Sequence, residues 1–171
     1  MASTDSFMQR NAEQIGSQRP VETKVFLERA QHYCATAEHC PSDVQQMLAR
    51  LNATDSQINE VIGVLQQQHF IDSARYCRAF VHDKVAFQGW GRMKIIQGLR
   101  AKHLPDADIS EAVNNIDETA YAANIRKLVQ TKRGQDKQRT IRFLLQRGYT
   151  FDDLRRYAKI DADTTDYETD D

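Results

Sequence analysis

The chain has 171 residues, of which 27% are charged, with seven glycines, three prolines and a net charge of −1. This balance excludes a collagen-like or low-complexity chain and suits a well-solvated helical protein, either one compact domain or a short array of small units. The sequence holds neither an apolar run of about 18 residues nor a basic leader followed by an apolar core, so a cytoplasmic protein without membrane contact is expected.

Charge is spread unevenly along the chain. From Arg75 to Lys102 seven Lys/Arg stand against one Asp, and from Arg126 to Arg147 eight stand against one. Residues 161–171 carry six acids and no base, so the near-zero sum hides a basic middle. Cys34, Cys40 and Cys77 form an odd set without paired spacing and read as reduced thiols.

Residues 1–21 lack apolar periodicity and are expected to form a mobile N-terminal arm. A first three-helix repeat is predicted over 22–70. Val25, Phe26, Ala30 and Tyr33 would form its first helix, and Val44, Met47, Leu48 and Leu51 the second, started by Pro41 with Ser42 and Gln45 as a capping box. Ile58, Val61, Ile62 and Leu65 give the third.

The next two stretches repeat each other. Ile71 and Ile116 are 45 residues apart (116 − 71), and the same shift places Asp72 on Asp117, Tyr76 on Tyr121, Gly89 on Gly134, Leu99 on Leu144 and Ile109 on Leu154 without a gap. A tandem duplication is the simplest source of such agreement. Repeats are therefore predicted over 71–115 and 116–160. Each opens with an Asp that can cap a helix, continues with a second helix on Ile95, Ile96 and Leu99 or Ile141, Leu144 and Leu145, and closes with a third near Pro105-Asp106 or at Thr150. Gly148 would end the second helix of the later repeat, and Thr150-Phe151-Asp152-Asp153 resembles a capping box. Residues 161–171 are expected to be a mobile acidic tail. Three-helix units of this size bury little surface alone, so the predicted fold is all-α: tandem three-helix repeats stacked into an elongated, curved array.

With Ile141, Leu144 and Leu145 turned inward, Arg139, Phe143 and Arg147 follow one another at i, i+4 and i+8 on the opposite side. Lys94, Gly98 and Lys102 repeat this stripe one unit earlier. A solvated helix face is the ordinary meaning of such charges; their recurrence in two repeats argues equally for a binding ladder. Phe143 can pack on a neighbouring module or share a contact surface with the arginines beside it. In the loop Gly89-Trp90-Gly91-Arg92 the only tryptophan is placed by a glycine turn, as a buried plug or as an exposed anchor. The loop lacks the pattern of a nucleotide-binding turn.

The grouping of His32, Cys34, His39 and Cys40 matches no closed zinc spacing, and no nucleophile and base arrangement is legible, so neither a cofactor nor a catalytic residue is expected.

FIDSARYCRAFVHDK at 70–84, GWGRMKIIQGLRAKHL at 89–104, IDETAYAA at 116–123 and IRFLLQRGYTFDDLRR at 141–156 resemble the RecX family, bacterial regulators of the RecA recombinase. Arg92 and Lys94 match its basic loop and helix start, Lys102 its basic helix end, and Arg147-Gly148 its basic-glycine end; His103 stands where the family usually has glycine. The resemblance spans residues 25–160. It implies a non-enzymatic, monomeric protein that binds the RecA filament and inhibits its activity, with single- or double-stranded DNA as a further partner. The expected contact surface comprises Lys84, Trp90, Arg92, Lys94, Lys102, Arg139, Arg142, Phe143 and Arg147. An autonomous helix-turn-helix-like nucleic-acid binder is the alternative, although the predicted third helix of the middle repeat carries three acids and no base.

Overall fold

The computed structural model describes residues 22–160, so the arms predicted over 1–21 and 161–171 lie outside the described residues. Among the described residues all regular structure is helical, as expected. Residues 22–36 are helical (α1), followed by α2 (Pro41–Arg50), α3 (Asp55–Gln67), α4 (Ser73–Ala86), α5 (Arg92–Arg100), α6 (Asp106–Asn114), α7 (Glu118–Thr131), α8 (Lys137–Gln146) and α9 (Phe151–Asp153), which runs into a π-helical turn, Leu154–Ala158. The chain divides into two compact units, with the boundary between Asp72 and Ser73.

In the first unit Ala30, Val44, Leu48, Ile58, Val61, Leu65 and Ile71 form the core, with Phe26, Tyr33, Met47 and Ile62 packed around it. The apolar positions recur at the 3.6-residue period that carries one helix face inward. The start of α2 differs from the sequence reading. Pro41, which lacks an N–H and has φ fixed near the helical value, occupies the first turn. Cys40 therefore becomes the N-cap, and the Asp43 carboxylate, not Gln45, accepts the N–H of the capping residue at 3.2 Å. Helix α3 has a capping box that periodicity did not reveal: Thr54 N–H donates to Gln57 Oε1 at 2.9 Å, and Gln57 N–H returns to Thr54 Oγ1.

In the second unit α4 packs on α5, α6 and α7, α5 packs on α6, and the π-helical turn lies on α7. Positions related by the 45-residue shift are buried in pairs: Tyr76 and Tyr121, Cys77 and Ala122, Leu99 and Leu144, Leu104 and Tyr149, Ile109 and Leu154. The backbone repeats as well. Gly89 and Gly134 both have positive φ (58° and 84°), as do His103 and Gly148 (57° and 86°). His103 thus ends α5 in the left-handed conformation that glycine usually supplies, so its departure from the family residue leaves the turn unchanged. Asp117 caps α7 by accepting the Thr119 and Ala120 N–H groups, and Thr150 and Asp153 form the predicted capping box.

Candidate functional site

Two short glycine-containing segments meet inside the second unit. A Cβ built on Gly91 would lie 2.2 Å from the carbonyl carbon and oxygen of Gly148, so backbone touches backbone here. That approach lets Gly91 N–H donate to Arg147 O at 2.7 Å and Met93 N–H to Gly148 O at 3.1 Å. The first N–H groups of α5, which no earlier turn can satisfy, are thereby capped by the end of α8. Arg147 Nη1 donates to Gln88 O at 2.6 Å and Tyr149 OH to Gly89 O at 3.1 Å, tying the remainder of the loop to the same segment.

Arg92 faces this junction. Its guanidinium donates to Glu118 Oε1 at 2.5 Å and Asp153 Oδ1 at 3.3 Å, and its charged carbon lies 4.1 Å from the centroid of the Tyr121 ring. Tyr121 OH donates to Asp153 Oδ2 at 3.2 Å and accepts the Arg92 backbone N–H; Tyr157 OH donates to the other oxygen of Glu118. Asp153 is buried and also accepts Thr150 N–H at 2.9 Å, so its charge is met from three directions. The Arg92 side chain is therefore held against its own chain, whereas the sequence reading set it among the outward contacts.

Burial pushes the Tyr121 phenol well above the usual tyrosine range and that of Tyr149 up to about 12. A folded-state pKa raised above the unfolded value of about 10 gives a contribution that is complete below that pH and is lost as pH rises toward 12. Urea midpoints should accordingly fall across this alkaline window. The decline should be shallower in Tyr149→Phe, which at pH 8 should cost only about 1 kcal/mol for the lost bond to Gly89 O. Parallel alkaline slopes in the two proteins would contradict this assignment.

The other sequence-predicted residues gather in two groups. Helix α4 carries Tyr76, Phe80 and Lys84 at i, i+4 and i+8, and α5 carries Lys94 and Gly98 at i and i+4, with Lys102 in the turn that follows α5. Tyr76 and Phe80 stack with centroids 6.1 Å apart, and Phe80 meets Trp90 edge-on at 6.2 Å. An added Cβ on Gly98 would stand 3.1 Å from the Phe80 ring and 3.5 Å from Trp90, so the missing side chain is what lets both rings lie against α5. Lys84 Nζ is 4.9 Å from the Phe80 and Trp90 centroids, Lys94 Nζ is 4.6 Å from Trp90, and Lys102 Nζ is 6.0 Å from Tyr76. Trp90 is half-buried, neither plug nor free anchor, with two ammonium groups over its ring. Each such contact is worth about 0.5–1 kcal/mol where water still reaches it, enough to bias the lysine position without neutralising the charge.

The second group is centred on α8. Phe143 is half-buried between Lys132 Nζ at 4.4 Å and the Arg147 guanidinium at 5.0 Å, while Arg139 and Arg142 are exposed on the same helix. Lys132, from the end of α7, was not singled out in the sequence because its ring partner lies on another helix. Tyr76 and Phe80 were read there only as an apolar face, yet their continuation to Lys84 at the next i+4 step carries the ladder's signal. Among the described residues no group of three His, Cys, Asp or Glu could hold a metal ion, and no helix is long and apolar enough to cross a membrane.

A family model described as RecX, second three-helix domain, matches residues 72–113, the span of α4 to α6. The regulatory protein RecX of Halorhodospira halophila is 26% identical over 149 residues, covering 83% of this chain and 91% of its own length. That of Leptothrix cholodnii is 28% identical over 138 residues, covering 77% and 86%. The chain shares its fold with a crystal structure of regulatory protein RecX (TM-score 0.75, 19% identity, 86% of this chain and 79% of that one). The crystal structure of RecX from Lactobacillus salivarius also has this fold (TM-score 0.70, 16% identity, 82% and 96%).

Proposed function

We propose, from its similarity to RecX proteins over residues 72–113 and along most of the chain, that this chain is a non-enzymatic regulator of that family that binds the RecA filament and restrains its recombination and ATPase activity. The observation that carries this reading is the basic and aromatic ladder of α4, α5 and the turns flanking α5, with Lys84, Lys94 and Lys102 set against Trp90, Phe80 and Tyr76. A second group follows on α8 around Phe143. Cations seated on aromatic rings form a surface with fixed positions, suited to acidic side chains of a protein partner and to phosphates of the DNA it holds. Arg92 acts in this reading as an internal clasp, and Lys84, Trp90, Lys94, Lys102, Arg139, Arg142, Phe143 and Arg147 make the contacts. One chain is the binding unit.

An autonomous helix-turn-helix reader would place its third helix in the major groove. Helix α6 carries Asp106, Asp108 and Glu111 and no Lys or Arg, which phosphates would repel. The reading is tested by the DNA-dependent ATPase of RecA titrated with the purified protein. Inhibition is expected from the native chain and should weaken on the order of tenfold or more for Lys94→Glu with Arg139→Glu, two changes on exposed or half-exposed positions. Equal inhibition by a variant of unchanged stability would remove this surface from the account.

A further inference from the structure

Within the second unit one side chain runs between the group on α8 and the loop that presents Trp90. Arg147 caps the end of α8, and its guanidinium meets both. On one side its charged carbon stands 5.0 Å from the centroid of the Phe143 ring, the same ring that carries Lys132 Nζ at 4.4 Å. On the other side Nη1 donates to Gln88 O at 2.6 Å and would lie 3.8 Å from a Cβ on Gly89. We infer that Arg147 is a positioning residue: it couples Phe143 to the Gln88–Arg92 loop and so fixes the α8 group and the Trp90 ladder at one spacing. The coupling stands on geometry. Its use, that one partner meets both groups at once, rests on the function proposed above.

The backbone of the same residue carries the argument further. Arg147 O accepts Gly91 N–H at 2.7 Å, so a single residue holds the loop on both sides of Trp90, at Gln88 through its side chain and at Gly91 through its carbonyl. Trp90 N–H donates in turn to Lys84 O at 3.0 Å, which joins the loop to α4. The ring set by these bonds is the one over which Lys84 and Lys94 place their ammonium groups, at 4.9 and 4.6 Å. Gln88 is exposed, so its place depends on this bond more than on packing. A shift of the guanidinium therefore reaches Trp90 through the two peptide units of Gln88 and Gly89.

The arrangement needs arginine. A guanidinium is flat and forked, so it can lie on an aromatic ring while one edge donates to a carbonyl, and its remaining N–H groups stay available to a partner. An ammonium is a compact charge that can satisfy the ring or the carbonyl from one position, and not both. A charged donor to a carbonyl is also stronger than a neutral one, which suits a bond that must hold an exposed turn. The bonds from Gly91 and Met93 use only main-chain acceptors, so replacing the Arg147 side chain leaves them in place and loosens the loop at its Gln88 end alone.

Trp90 is the only tryptophan, so acrylamide quenching of its emission, measured far below the urea midpoint of each protein, reads how firmly the loop is held. Arg147→Met should raise the quenching constant on the order of twofold by local opening, with the helical circular dichroism unchanged. Arg147→Lys should rise with it, because the retained charge does not replace the fork. Phe143→Leu should raise quenching to a smaller degree by freeing the guanidinium, and should add nothing when position 147 is already Met. A purely structural role would move the urea midpoint and leave quenching of the folded protein at its native value. Native quenching in Arg147→Met would overturn the inference. Native quenching in Arg147→Lys would do the same, by reducing the residue to a charge, and so would an equal effect of Phe143→Leu in the Arg147 and Met backgrounds, by giving the ring another route to the loop. Neither RecA nor nucleic acid enters these measurements, so failure here is distinguishable from failure of the proposed function.

Discussion

Alanine in place of Gly148 is expected to lower the unfolding free energy by about 3–5 kcal/mol, as read from urea titration. Two costs combine. The residue has φ +86°, where an L side chain is strained by about 1–2 kcal/mol. The new Cβ would also stand 2.4 Å from the backbone nitrogen and Cβ of Lys94, and neither atom is the free end of a flexible side chain. The chain must then part the end of α8 from the start of α5, losing the bonds from Gly91 to Arg147 O and from Met93 to Gly148 O. Gly134 separates the two costs: it has φ +84° with nothing within 4 Å of an added Cβ. Gly134→Ala should therefore show the strain alone, about 1–2 kcal/mol. Equal losses at the two glycines would contradict the close approach.

Asp153→Ala should cost about 3–4 kcal/mol, since it removes the acceptor of a buried tyrosine hydroxyl, the reciprocal cap of α9 and one partner of Arg92. The figure is kept at the lower end of what a broken buried pair costs because the Arg92 side chain is 24% exposed and water can take up part of its charge. Glu118→Gln tests the other arm of the same clasp. Glu118 is more than half exposed and the amide retains an acceptor, so urea titration should show a loss below about 1 kcal/mol. A ranking with Glu118 above Asp153 would mean that the clasp is organised around its outer carboxylate.

The helices and their cores were legible because apolar residues recur at a local period, and the duplication because Tyr76, Leu99 and Ile109 meet Tyr121, Leu144 and Leu154 at one constant shift. Caps at Asp117 and Thr150 were legible for the same reason, each needing only a residue and its neighbours two or three places on. At Cys40 the local rule pointed elsewhere because the backbone restraint of Pro41 moved the helix start. The role of Arg92 could not be read from periodicity: its partners Glu118 and Asp153 lie 26 and 61 residues away, brought near only by packing of α5 against later helices. Trp90 posed the same difficulty, since the glycine at position 98 that makes room for it belongs to the next helix. Basic stripes were visible as spacing, but the Trp90 ring against Lys84 and Lys94 and the Phe143 ring against Lys132 come from other elements or loops.

The most direct measurement is co-sedimentation of the purified chain with RecA filaments preformed on single-stranded DNA, alongside its Lys94→Glu, Arg139→Glu variant. The account predicts that the native chain pellets with the filament saturably and that the variant, folded to the same stability, remains largely in the supernatant. A native chain that stays in solution beside intact filaments, or a variant that pellets equally well, would contradict it.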